Sequence, residues 1–167
     1  MRNVCLLLLV LGVMLPLPAA AEQPLVRFEG GIGASPAAIV GGALVINVTR
    51  GVTPGGRPWV IESLQAEVKI DGRISVEGRG LLLGGGDAIG TPANQMVRAR
   101  LFCGSGATAT VHQSGLVQLE PNGDFRIDDV LGPVAPTTVA TPPDPCTAPV
   151  LLIVSAGGNW FAAGIVK

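Results

Sequence analysis

The chain has one histidine, no tyrosine and only six aromatic side chains in 167 residues. Each shortage excludes something. A serine-nucleophile site needs a histidine placed beside both the nucleophile and an orienting acid. His112, with Ser114 two residues on and on the same face of a strand, is the one pair available. No Gly-x-Ser-x-Gly elbow accompanies it, so the pair reads as a surface histidine near a strand end. Sugar-binding faces present several flat aromatic rings. Here only Trp59 and Trp160 could serve, and a core role suits both better. Glycine is abundant, yet Gly30-Gly31-Ile32-Gly33 and Gly84-Gly85-Gly86-Asp87 lack both the Gly-Lys-Ser/Thr of a phosphate loop and the third glycine of a dinucleotide fingerprint. Charge is scarce too, at 14% of residues, with 11 basic and 12 acidic side chains. Such a balance supplies neither the clustered basic face that nucleic acid needs nor a polybasic membrane contact.

What is present begins at the N-terminus. Met1-Arg2-Asn3 is a short positive start, Val4 to Leu15 is almost wholly apolar, and Ala19-Ala20-Ala21 ends the segment after two prolines. This pattern predicts a secretory signal peptide over 1–21, cut after Ala21. The apolar run is too short to be a comfortable membrane anchor, and no spanning segment follows it. The mature chain, 22–167, has the length of one domain and is expected to be secreted or periplasmic. Arginine outnumbers lysine nine to two, which suggests GC-rich coding and a bacterial source. Cys103 and Cys146 remain after cleavage, and an isolated pair in an exported protein predicts a disulfide. Neither cysteine has a histidine or a Cys-x-x-Cys partner nearby, so a catalytic thiol is not expected.

The mature sequence carries strand patterns and no helical period. Ser63 to Gly80 alternates apolar and charged residues around Ile70-Asp71-Gly72. A three-residue loop there sets Val68 opposite Ile74 and Ala66 opposite Val76, leaving Gln65, Glu67, Lys69, Arg73, Ser75 and Glu77 on a solvated face. The same logic at Pro121-Asn122-Gly123 sets Leu119 opposite Phe125 and Val117 opposite Ile127, with the strand ending near Asp128 so that Asp129 stays out of the core. Leu25 to Glu29 reads as a strand broken by the glycines at 30–33. Ala37 to Thr49 reads as one bent strand interrupted at Gly41-Gly42. In Val97 to Cys103, Arg98 and Arg100 should face outward. The Pro/Thr-rich stretch 132–149 holds six of the fourteen prolines and excludes a central strand or a helix. The expectation is an all-β, single-domain antiparallel β-sandwich, immunoglobulin-like or transthyretin-like in layout, with a small barrel as the alternative.

Two places could bear function. Glu120, Asp124 and Asp128, with Asp129, form a carboxylate group that would suit calcium if enough oxygens converged, or paired-acid glycoside chemistry; Arg126 beside them offers plain compensation. At the C-terminus, Val150 to Val154 and Trp160-Phe161 are apolar on both faces. A Gly157-Gly158 loop would pair Phe161 with Val154 and set Trp160 with Ile153 and Leu151 on the other face. That face is covered by the chain's own loop, either Gly30 to Pro58 or the Pro/Thr-rich segment, which is the favoured reading, or by a partner, which makes Trp160, Ile153 and Leu151 a candidate surface for binding or self-association. The stretches FEGGIG (28–33), DGRISVEGRGLLL (71–83), NGDFRIDDVL (122–131) and NWFAAGI (159–165) are similar to a recurrent group of bacterial secreted β-rich proteins. The resemblance implies export and a β-rich fold, and it assigns no functional residue. The functional expectation is a non-enzymatic binding or structural module without a cofactor, meeting a protein or cell-envelope ligand. A hydrolase or protease inhibitor working through the Gly- and Pro-rich loops is the alternative.

Overall fold

A computed structural model describes residues 23–167. The segment 1–21, expected to be a signal peptide, lies outside the described residues. The fold is all-β and antiparallel, and the only helical turn described is a single 3-10 turn at Gly106–Thr108. In chain order the strands are β1 (Pro24–Gly33), β2 (Ala37–Val40), β3 (Ala43–Ile46), β4 (Trp59–Val60), β5 (Ser63–Lys69), β6 (Arg73–Arg79) and β7 (Leu82–Leu83). They continue as β8 (Met96–Cys103), β9 (Thr110–Gln113), β10 (Val117–Gln118), β11 (Phe125–Val130), β12 (Gly132–Pro133), β13 (Val150–Ser155) and β14 (Trp160–Val166). The main sheet runs β11-β6-β5-β1-β14-β13-β8-β9-β12, with β10 also paired to β8; β2-β3 and β4-β7 are separate two-stranded pairs.

Alternation decides which face is buried. Phe28, Ala66, Val76 and Ile127 lie in one row across β1, β5, β6 and β11, and all four are buried. Their neighbours along each strand face water and pair across it, as in Arg27–Glu67 at 2.6 Å and Ser75–Asp128 at 2.9 Å. The β5-β6 hairpin has the expected register, with Val68 opposite Ile74 and Ala66 opposite Val76. The turn that makes it recurs. At Gly72, Gly123 and Gly158 the glycine N–H bonds back three residues, to Lys69, Glu120 and Ser155 respectively, and each glycine sits at φ between +83° and +89°. That left-handed conformation is strained for any side chain and free for glycine.

Four expectations need correction. The turn 121–123 forms, with Glu120 N–H on the Asp124 carbonyl at 2.9 Å, but its arms diverge. Val117 pairs with Val97 and Ile127 with Val76, so Val117 never meets Ile127. Asp129 remains within β11 without entering the core: it lies at the exposed end of the sheet and accepts the Gly115 N–H at 2.6 Å. The glycines after Glu29 bend β1 rather than end it. Through a bulge between Phe28 and Gly31, β1 leaves β5 and continues along β14. Lastly, Ala37 to Ile46 is a hairpin closed at Gly41-Gly42, with Val40 opposite Ala43.

Cys103 and Cys146 lie at disulfide distance, with Cα atoms 4.9 Å apart and a sequence separation of 43. The bridge fastens the end of the Pro/Thr-rich stretch to the end of β8. The same stretch is held to β9 where Val111 N–H donates to Thr137 Oγ1 at 2.8 Å. Alkylation of the unfolded, unreduced protein should label neither Cys103 nor Cys146, read by mass. Two labels would exclude the bridge. Reduction should cost about 4 kcal/mol by the loop-entropy model, read as a lower urea midpoint.

Candidate binding surface

His112 is fully buried, not a surface residue. Its Nε2 lies 3.0 Å from the Val139 carbonyl, so Nε2–H donates there and Nδ1 has no hydrogen-bond partner. Ser114, also buried, accepts the Ala99 N–H and donates to the Gly115 carbonyl. The hydroxyl is committed to the backbone, with no hydrogen bond to the imidazole. The pair belongs to the packing between β8, β9 and the Pro/Thr-rich stretch, which lies over the histidine.

Glu120 is exposed and converges with none of the other carboxylates on a common site, and Asp124, Asp128 and Asp129 are occupied by local partners. Asp124 accepts the Gly80 N–H and the Asn122 amide, both at 2.9 Å. Asp128 bonds Arg126 at 2.6 Å and Ser75 at 2.9 Å, which together hold its carboxyl below the usual range, Arg126 contributing most. Among the described residues, no three His, Cys, Asp or Glu side chains gather as a metal site.

Trp160, Ile153 and Leu151 are buried, Trp160 at 4% exposure and the others at zero. The cover is the chain itself. Trp160 Nε1 donates to the Asn47 carbonyl at 3.1 Å, its N–H bonds Thr53, and its carbonyl accepts Gly55 N–H. The register also differs from expectation. Trp160 pairs with Val154 and Ala162 with Ile153, because the loop has three residues and a bulge follows it. Where both faces of a hairpin are apolar, a one-residue slip exchanges one apolar set for another, so the pattern cannot select a register. Trp160, Ile153 and Leu151 therefore hold the sheet together and offer no surface on the monomer.

The segment that supplies this cover also carries a run of exposed apolar side chains. Ala34 is buried and pinned by two backbone bonds, its N–H to Phe161 and its carbonyl from Trp59, both 2.8 Å. Asn47 closes the other leg, its side chain donating to the Ser35 carbonyl at 3.2 Å and its N–H to Pro36. Between these anchors the β2-β3 hairpin projects with Ile39, Val40, Leu44, Val45 and Ile46 exposed, Leu44 at 71%. A contiguous apolar patch of this kind is rare on a soluble monomer and marks contact surfaces. A sequence signal existed: no charged residue lies between Glu29 and Arg50. That run suggests a bent strand by its β-branched, apolar content, and nothing local in it records that it stays exposed.

Beside it, the loops at 55–58 and 84–95 frame a cleft of about 620 Å³ floored by Trp59 and Phe161, whose rings stack 4.0 Å apart. The polar side chains lining it are Arg57, Gln95, Ser155 and Asn159, a set without an acid–base pair. No helix among the described residues is long and apolar enough to cross a membrane. No protein-family model matches the chain, and no curated protein or solved structure is significantly similar to it.

Proposed function

We propose that the chain is exported, loses residues 1–21, and works as a non-enzymatic two-layer β-sandwich that binds or builds through its projecting hairpin. The observation that carries this reading is the β2-β3 hairpin, apolar and exposed over most of its length, fixed at its base by Ala34 and Asn47. A scaffold anchored so firmly holds the apolar residues out of its own core, and a contact surface is the use that repays that exposure. The sandwich reading draws support from the inward apolar rows of β1-β5-β6-β11 and of β8-β13-β14, which each need the other's cover.

A photo-crosslinking amino acid at position 44 tests this in the exporting host. The chain should be recovered outside the cytosol without residues 1–21, and Leu44 should give adducts that the control position Gln65, exposed on β5, does not. An unprocessed cytosolic chain, or position 44 reacting no more than position 65, would reject the reading.

A further inference from the structure

The occupant of the hairpin follows from its two faces and two edges; the argument rests on the hairpin being the contact surface. Ile39 and Leu44 are opposite one another and 69% and 71% exposed. Val45, next along the strand, points to the other face and is 44% exposed, so apolar surface is presented on both sides.

The edges are open as well. β2 and β3 pair only with each other, and no backbone hydrogen bond from another described segment reaches 38–45. In a two-residue hairpin the closing pair, Val40 and Ala43, exchanges both its bonds. The next pair, Ile39 and Leu44, therefore turns its N–H and C=O groups outward. Lipid tails would cover both faces but cannot satisfy those groups, and open sheet edges do not persist in hydrocarbon. A strand of another chain satisfies them. Apart from the shortness of its strands, four residues each, the hairpin has none of the devices that normally prevent such pairing: no lysine, no inward charge, no bulge and no proline within its strands.

We infer that the hairpin is a self-association element, in which a second copy of this chain adds its own hairpin edge to edge and the two form one four-stranded sheet. Two uncharged hairpins meet without like charges opposed, and their apolar faces become those of a sheet wide enough to be covered.

Sedimentation velocity of the purified exported chain, from micromolar to several hundred micromolar, reads the outcome. The expected result is a species of at least twice the single-chain mass. An Ile39→Lys/Leu44→Lys variant should sediment as one chain with its near-ultraviolet circular dichroism unchanged, because both positions lie outside the core. Leu44→Pro is the sharper variant. It keeps an apolar residue and removes only an outward N–H, so a tenfold or greater weakening of association would mark strand pairing and not mere apolar contact. A wild-type chain at single-chain mass throughout, an assembly that survives the double lysine variant, or Leu44→Pro associating like wild type would each overturn the inference. Flotation of monomeric wild type with phosphatidylcholine vesicles would overturn it in favour of lipid. Adducts at position 44 exclusively with a different chain would overturn it while leaving the contact-surface reading standing.

Discussion

Val68→Arg should abolish the cooperative unfolding transition of this protein. Val68 has no exposed surface and sits in β5 between Val26 of β1 and Ile74 of β6. Its side chain points into the layer that holds Phe28, Leu64 and Val76. A guanidinium placed there has no carboxylate to meet, since the charged residues of β5 and β6 all lie on the other face. Burying a lone charge costs more than about 4 kcal/mol, a large part of the 5–15 kcal/mol that keeps a domain folded. Urea titration followed by circular dichroism should show no native baseline. The matched substitution Gln65→Arg changes the same strand on its wet face, opposite Glu77 and beside Glu29. It should shift stability by no more than about 0.5 kcal/mol. Equal losses at 65 and 68 would mean that the two faces of β5 are assigned the wrong way round.

The second large effect is expected at Gly33, where the reason is backbone against backbone. A Cβ at this position would stand 2.1 Å from the Trp59 carbonyl oxygen and 2.8 Å from the Val60 Cα. No rotamer change relieves such a contact. Trp59 would have to withdraw, yet its N–H is bonded to the Ala34 carbonyl and its ring is stacked on Phe161. Gly33→Ala should cost about 3 kcal/mol, at the upper end of overpacking, and lower the thermal midpoint by roughly 10 °C for a chain of this size. The near-ultraviolet dichroism of the tryptophans should change with it. Gly56→Ala, where an added Cβ meets nothing within 4 Å, should leave both signals in place. Comparable shifts at 33 and 56 would show that the close approach to Trp59 does not constrain the fold. Because Ala34 and Trp59 also anchor the projecting hairpin, Gly33→Ala should loosen its base, whereas the lysine variants act on its surface alone.

Much of the architecture is local information. Whereas Arg98 and Arg100, expected outward, are half-buried opposite Val154 and Leu152 with their Nε atoms enclosed, Val68 opposite Ile74 and the three-residue turns at Gly72 and Gly123 follow from alternation and turn chemistry. Both depend on residues within a dozen positions of each other. The pairing of Cys103 with Cys146 was legible because residues 22–167 hold no third cysteine. The missed features depend on distant chain. Nothing near Val117 says that it will pair with Val97 instead of Ile127; that choice is made by β8 and β6 competing for the two arms of one turn. His112 reads as polar and exposed, and only the Pro/Thr-rich stretch laid over β9 buries it. For Trp160 the sequence calls for a cover and offers the loop 30–58 as one source, but only the fold brings Asn47, Thr53 and Gly55 over the ring from a hundred residues away. The hairpin at 37–46 is the same case in reverse. Its sequence is that of a core strand, and only the tertiary structure shows that the core closes without it. The sequence by itself determined which residues are apolar, where the chain can turn and which face of each alternating strand is inward. The tertiary structure decided which of the apolar segments are covered, because cover is supplied by whichever distant segment packs there, and no local pattern records it.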